Sequence, residues 1–130
     1  MNSVKLLLDT HVVVWWLEDD DRLSRRASTL LGNLENSILI SAAVGWELAI
    51  KVNLGKFKPS SILDGLDRLI QQEAFLELPI TLEMGVRAGL LPAHHRDPFD
   101  RMLVAQAQSL SIPILSADAI LDRYDVRRIW

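Results

Sequence analysis

The sequence predicts an α/β domain built on a mostly parallel sheet of about five strands. Short apolar runs, of the length of buried strands, alternate with segments whose apolar residues repeat at helical spacing. The alternation runs through all 130 residues without a repeat, linker or low-complexity tract, so residues 1–130 are expected to form one domain. With 49% hydrophobic residues and no cysteine, the chain has the apolar content of a filled core and no disulfide framework.

Val4 to Leu8, apolar except for Lys5, reads as a buried parallel strand. His11 to Leu17 reads as a short helix that ends at the acidic turn EDDD. Leu23 to Leu34 carries apolar residues at 23, 27, 30, 31 and 34, a helical period, with Ser24 as a candidate cap. Ile38 to Ile40 is the second strand, and Ala42 to Leu54 a helix closing at Gly55. Ser60 to Gln72 is helical behind Pro59, and Phe75 to Leu78 is a strand ending at Pro79. A helix from Thr81 to about Leu90 leads into the loop LPAHHRDP. Phe99 to Leu110 is a strong helix, Pro113 to Leu115 a strand, Ala117 to Arg123 a short helix and Val126 to Ile129 the last strand.

Several functions are excluded or disfavoured at this level. The longest apolar runs, around Val12 to Leu17 and Ile38 to Trp46, fall far short of the ~20 residues of a membrane helix. Asp9 breaks the N-terminal leucines before a secretory leader can form, so a cytoplasmic protein is expected. Thiolate zinc sites and cysteine nucleophiles are ruled out. The net charge of −3 disfavours a simple basic nucleic-acid surface, although bound divalent cations would add positive charge that a residue count omits.

Open parallel sheets bind ligands beyond the carboxyl ends of their strands. Four acids lie near these ends: Asp9 ends the first strand, Glu47 is in the helix that follows the second, Asp100 opens a helix and Asp118 lies three residues after Leu115. Each has an ordinary alternative. Asp9 and Asp118 can cap helices, and Asp100 suits the first turn of a helix capped by Asp97 with Pro98 at N1. Glu47 can pair with Lys51, yet it shares a helix face with Ala43, Val44 and Ile50, where a surface ion pair is out of place. Jointly the four point further. Two charges ~5 Å apart at an effective dielectric of ~20 repel by roughly 3 kcal/mol. A helix N-terminus offsets only about 0.3–1 kcal/mol of that. A cluster of such acids needs protons or a cation, and carboxylate oxygens select Mg²⁺ or Mn²⁺. The residues therefore point to metal-dependent phosphoryl transfer or phosphodiester cleavage.

Four stretches, LLLDTHVVVWWL, ISAAVGWELAIKVNLGK, LPAHHRDPFDRMLVAQA and LSAD, resemble the PIN-domain ribonucleases, specifically the VapC toxins of type II toxin–antitoxin pairs. The resemblance spans essentially the whole chain. It implies a three-layer α/β/α sandwich in which Asp9, Glu47 and Asp100 are the first three acids, with Asp118 at a fourth, more variable position. It further implies that Asp9 and Asp100 are the main ligands of Mg²⁺ or Mn²⁺, that Asp118 joins them through a water or a second ion, and that Glu47 orients or deprotonates the attacking water directly or through a second metal. RNA would be the substrate. The partners would be a second copy of the chain and a cognate antitoxin whose tail blocks the acidic cleft with a basic residue.

Other residues carry weaker signals. Thr10, Ser41 and Ser116 suit either a bond to the acid cluster or helix capping. His94 and His95 lack a third imidazole or cysteine at zinc spacing and suit a loop flanking the RNA path. Arg96 and Arg101 can contact phosphate or pair with carboxylates. Lys51, Lys56 and Lys58 suit a solvated face. Trp15 and Trp16, being neighbours, cannot easily both face inward, which predicts exposed apolar surface for a partner. Two competing readings stand beside the nuclease: a Mg²⁺-dependent phosphatase with Asp9 as nucleophile, disfavoured by His11 where a second Asp is needed, and a PIN-like binding module that has lost catalysis, disfavoured by the presence of all four acids.

Overall fold

The computed structural model describes residues 3–130. Among them run β1 (Lys5–Leu8), α1 (Thr10–Glu18), α2 (Arg25–Gly32), β2 (Ser37–Ser41), α3 (Ala42–Asn53), α4 (Pro59–Gln71), β3 (Leu76–Leu78), α5 (Leu82–Leu90), α6 (Pro98–Leu110), β4 (Ile114–Leu115), a 3₁₀ turn (Ala119–Arg123) and β5 (Arg128–Ile129). The strands form one sheet in the order β3-β2-β1-β4-β5, and every pairing is parallel. The expected mostly parallel sheet is thus wholly parallel, in a PIN-like α/β arrangement.

The order explains the layers. From β1 the chain winds outward through β2 to β3, then returns to the other side of β1 for β4 and β5. Right-handed crossovers place helices on opposite faces when the winding direction reverses. The reversal point lies between β1 and β4, the kind of switch point where open parallel sheets leave a crevice.

Burial follows from the same arrangement. A central parallel strand is covered on both faces, so every side chain from Leu6 to Leu8 is buried, as are Ile114 and Leu115 of β4. Each such leucine contributes roughly 1.5–3 kcal/mol by leaving water. Val12 and Val13 of α1, Val44 and Leu48 of α3, and Leu103 and Val104 of α6 close over the sheet in the same core.

Several boundaries shift from those expected. Ser24 is the cap itself, accepting the Ala27 N–H at 3.0 Å, so α2 starts at Arg25 and ends at Gly32. Leu34 is left 92% exposed, outside the helix whose period it continues. The last strand is only Arg128–Ile129, because Val126 and Arg127 precede the two residues that pair with β4. Gly55 has φ +77°, the left-handed conformation that glycine adopts freely after a helix.

Trp15 and Trp16 divide their surfaces within the chain. Trp16 packs against the core and donates its Nε1–H to Glu73 at 3.0 Å. Trp15 meets Trp130 and carries the Arg22 guanidinium over its ring. Apolar side chains instead face solvent on α3 and α5, among them Trp46, Leu82, Val86 and Leu90.

A candidate metal centre at the switch point of the sheet

Strand β1 ends by delivering Asp9 to the crevice, and Asp9 serves two purposes there. One oxygen, Oδ1, accepts the His11 N–H at 2.7 Å and caps α1. The other, Oδ2, accepts the Ser116 hydroxyl at 2.6 Å from the end of β4. The capping reading and the site reading of Asp9 therefore hold together. Ser116, fully buried, also accepts the Asp118 N–H at 3.0 Å, so one hydroxyl joins the acids that follow β1 and β4.

Glu47 reaches the same crevice from α3. Its buried carboxylate accepts the Thr10 hydroxyl on Oε1 at 2.7 Å and the Lys51 ammonium on Oε2 at 3.0 Å. The ion pair with Lys51 is thus real, yet it lies along the buried stripe of Ala43, Val44, Glu47 and Leu48. Ile50, expected on that stripe, is on the exposed side. Ser41 caps α3 through the Ala43 N–H at 3.0 Å, the second of the two readings for that residue.

Helix α6 brings Asp100. Asp97 caps it through the Phe99 N–H at 2.8 Å with Pro98 at the first turn, so Asp100 faces the crevice at the positive end of the helix. Asp118 in turn caps the 3₁₀ turn through the Ile120 N–H at 3.0 Å while keeping Oδ2 toward the crevice.

His95 sits between these last two acids. Its Nε2 is 2.8 Å from Asp118 Oδ2 and 3.2 Å from Asp100 Oδ2. The ligand-capable atoms of His95, Asp100 and Asp118 all lie within 4.8 Å of one another. Asp9 is tied to Asp118 through Ser116, and Glu47, held by the hydroxyl of Thr10 next to Asp9, acts on Asp100 through its charge. His94 is exposed and packs edge-on against Tyr124, outside the cluster.

Charge behaves as the clustering requires. Burial, with the charges of Asp97, Asp9 and more weakly Glu47, pushes the Asp100 carboxyl up from 3.8 to about 7, and His95 opposes that shift. A carboxyl that holds its proton near neutrality marks a site short of positive charge. The oxygen-rich donor set, with one imidazole at its edge, fits a hard divalent cation such as Mg²⁺ or Mn²⁺.

Asp9 and Asp118 lie just after strands, Asp100 in the first turn of α6, and Glu47 in the middle of α3. Three contributors carried no comparable signal. His95 stood in a loop whose path was not legible. Tyr124 accepts the His95 N–H on its hydroxyl at 2.8 Å and donates to Pro92 O at 2.7 Å, pinning that loop. Arg128 donates to Ser116 O at 3.1 Å and is held by Asp122, fixing the turn that carries Asp118. Only HHRDP, directly ahead of the Asp100 helix, hinted that a histidine would arrive with the acid.

Comparison with known proteins bears on the family and the fold. The PIN domain family model matches residues 6–127. VapBC2 from Rickettsia felis, solved bound to a DNA fragment from its promoter, superposes with a TM-score of 0.74 at 16% identity, covering 97% of this chain and 98% of that one. FitAcB from Neisseria gonorrhoeae superposes at 0.69 with 20% identity over 96% of each chain. PAE2754 from Pyrobaculum aerophilum gives 0.57 at 16% identity, covering 96% of this chain and 83% of that one. No curated protein matches in sequence.

Proposed function

The chain belongs to the PIN domain family, and from that premise we propose that it is a Mg²⁺- or Mn²⁺-dependent endoribonuclease, the toxin of a cytoplasmic toxin–antitoxin pair. One observation carries the reading: acids from four separate elements meet at the switch point, leaving Asp100 with a carboxyl pushed up to about 7. Asp9, Asp100 and Asp118 would hold the cation. When bound, it supplies the positive charge that such hydrolysis needs at the phosphate and at the attacking water.

The chain's own residues then have distinct tasks. Ser116 keeps Asp9 and Asp118 in register. Thr10 fixes the Glu47 carboxylate beside Asp9, and Lys51 balances its charge. Glu47 would orient the attacking water and take its proton. The positive end of α6 and the exposed Arg96 favour an approaching phosphate. The phosphatase reading draws no support, since the residue two positions after Asp9 is an exposed histidine where a second Asp is needed.

Two partners complete the proposal. An antitoxin tail bearing a basic residue would fit the acidic crevice. A second copy of the chain would cover the stripe Leu82, Val86 and Leu90, spaced one helical turn apart on α5. Trp46 of α3, also exposed, lines a cavity of about 230 Å³ with Ala88 and Gly89 of α5. The antitoxin is supported by the VapC-like stretches of the sequence and the shared fold of VapBC2 and FitAcB, the second copy by those stretches and the exposed α5 stripe.

The test is cleavage of a mixed small-RNA pool by purified protein in Mg²⁺, Mn²⁺ or EDTA, beside Asp100→Asn. Discrete fragments that require metal and disappear in the variant are expected. Folded, antitoxin-free protein that cleaves nothing in either metal would favour the binding module that has lost catalysis.

A further inference from the structure

His95 is a nitrogen among carboxylates, and geometry alone leaves it two roles: ligand to the cation, or donor to the acids that hold it. The second ring nitrogen decides between them. The Asp97 N–H points at His95 Nδ1 at 3.2 Å, so Nδ1 accepts. An imidazole accepting on Nδ1 carries its proton on Nε2, the nitrogen that faces Asp118 and Asp100. A protonated Nε2 has no lone pair for a metal. It can only donate.

The ring is also held against leaving. Its backbone N–H donates to Tyr124 at 2.8 Å, and the Tyr124 hydroxyl donates onward to Pro92 O at 2.7 Å. Tyr124 is buried, so this brace is anchored in the core. Three chain segments thus converge on one imidazole: the loop before α6, the N-terminus of α6 and the turn after β4.

We propose that His95 is a positioning residue, its Nε2–H spanning Asp118 and Asp100 and its Nδ1 locked as an acceptor by the Asp97 N–H, so that it sets the separation of two cation-binding carboxylates without binding the cation itself. This rests on the reading of the acids as a metal site. Residues that orient metal ligands by hydrogen bonds commonly shift metal affinity by about 10- to 100-fold when removed. Glutamine can place an N–H near the position of Nε2, whereas alanine cannot.

Two measurements test it without relying on activity. ¹⁵N NMR of metal-free protein reports which ring nitrogen of His95 is protonated, and the proton is expected on Nε2. Binding of Mn²⁺ alone, followed by electron paramagnetic resonance, reports affinity and any directly coordinated nitrogen. Wild type should show oxygen coordination only. His95→Ala should bind Mn²⁺ at least about tenfold more weakly, with His95→Gln recovering a substantial part. A nitrogen coupling in wild type that vanishes in His95→Ala would make His95 a ligand and overturn the proposal, as would unchanged Mn²⁺ affinity in folded His95→Ala. If His95→Ala does not fold, the wild-type spectrum and His95→Gln still decide. Should wild type bind no Mn²⁺ at all, the metal reading would fall separately, and a proton found on Nδ1 would overturn the donor role by itself.

Discussion

At the scale of single residues, small hydroxyls hold Asp9 and Glu47 in place, with the Lys51 ammonium beside them on Glu47. Ser116 and Thr10 each donate one short bond to an acid, and each lies next to or between strand ends in the chain. Asp100 is the residue where the strain of this crowding shows. Its carboxyl is raised from 3.8 to about 7, so the folded metal-free protein holds a proton there that the unfolded chain releases. Linkage then fixes the sign. The contribution of Asp100 to stability is fully present below its unfolded value and is lost as pH rises through about 7. In EDTA, wild type should therefore lose stability relative to Asp100→Asn across that interval, with no further divergence above it. Urea denaturation of both proteins at a series of pH values measures this. Mg²⁺ should reverse the trend for wild type only, because a cation must displace that proton to bind.

The positions of Asp9, Asp100 and Asp118 are legible in the sequence because strand ends and helix starts are legible, and a parallel sheet sends strand ends to one edge; Glu47, in the middle of α3, is marked only by its place on an apolar stripe. Their linkage was not. Nothing in the spacing of Asp9 and Ser116, 107 residues apart, announces a shared hydrogen bond. His95 was unreadable for a related reason, since a loop's course depends on the tertiary brace that Tyr124 provides.

At the scale of elements, capping explains both what was readable and where it slipped. Asp97 and Ser24 mark the starts of α6 and α2. The helical period around Leu23 to Leu34 extends beyond α2 at both ends, because Leu23 packs on the core from the turn before the cap while Leu34 projects into solvent after it. Periodicity reports which residues seek the core. It does not report where the hydrogen-bond ladder stops. β5 was overestimated in the same way. Because Asp97 both caps α6 and repels the Asp100 charge, its two effects separate by substitution. Asp97→Ala should destabilise the fold by about 0.5–2 kcal/mol, and Asp97→Ser, which keeps a cap without the charge, by markedly less. Both should lower the pKa of Asp100, readable by NMR titration of its carboxyl.

At the scale of the whole molecule, function follows from strand order. Reversal of the winding direction beside β1 opens the crevice, and the parallel arrangement fills it with acids from both halves of the chain. The chain's net charge of −3 is partly a consequence of that site. The outer surface carries a different signal, the row of Leu82, Val86 and Leu90 on α5, which no element of the described residues covers. Val86→Glu combined with Leu82→Glu should shift purified protein from dimer to monomer in sedimentation analysis while leaving the fold intact. Wild type that sediments as a monomer at micromolar concentration would assign that stripe to another partner.

The most direct test of the central claim is anomalous diffraction from crystals soaked in Mn²⁺. A peak is expected in the crevice, within coordination distance of Asp9, Asp100 and Asp118, and absent from Asp100→Asn crystals. Full soaking with no peak there, or a peak only at a site remote from these acids, would contradict the assignment of the crevice as a metal-dependent nuclease centre.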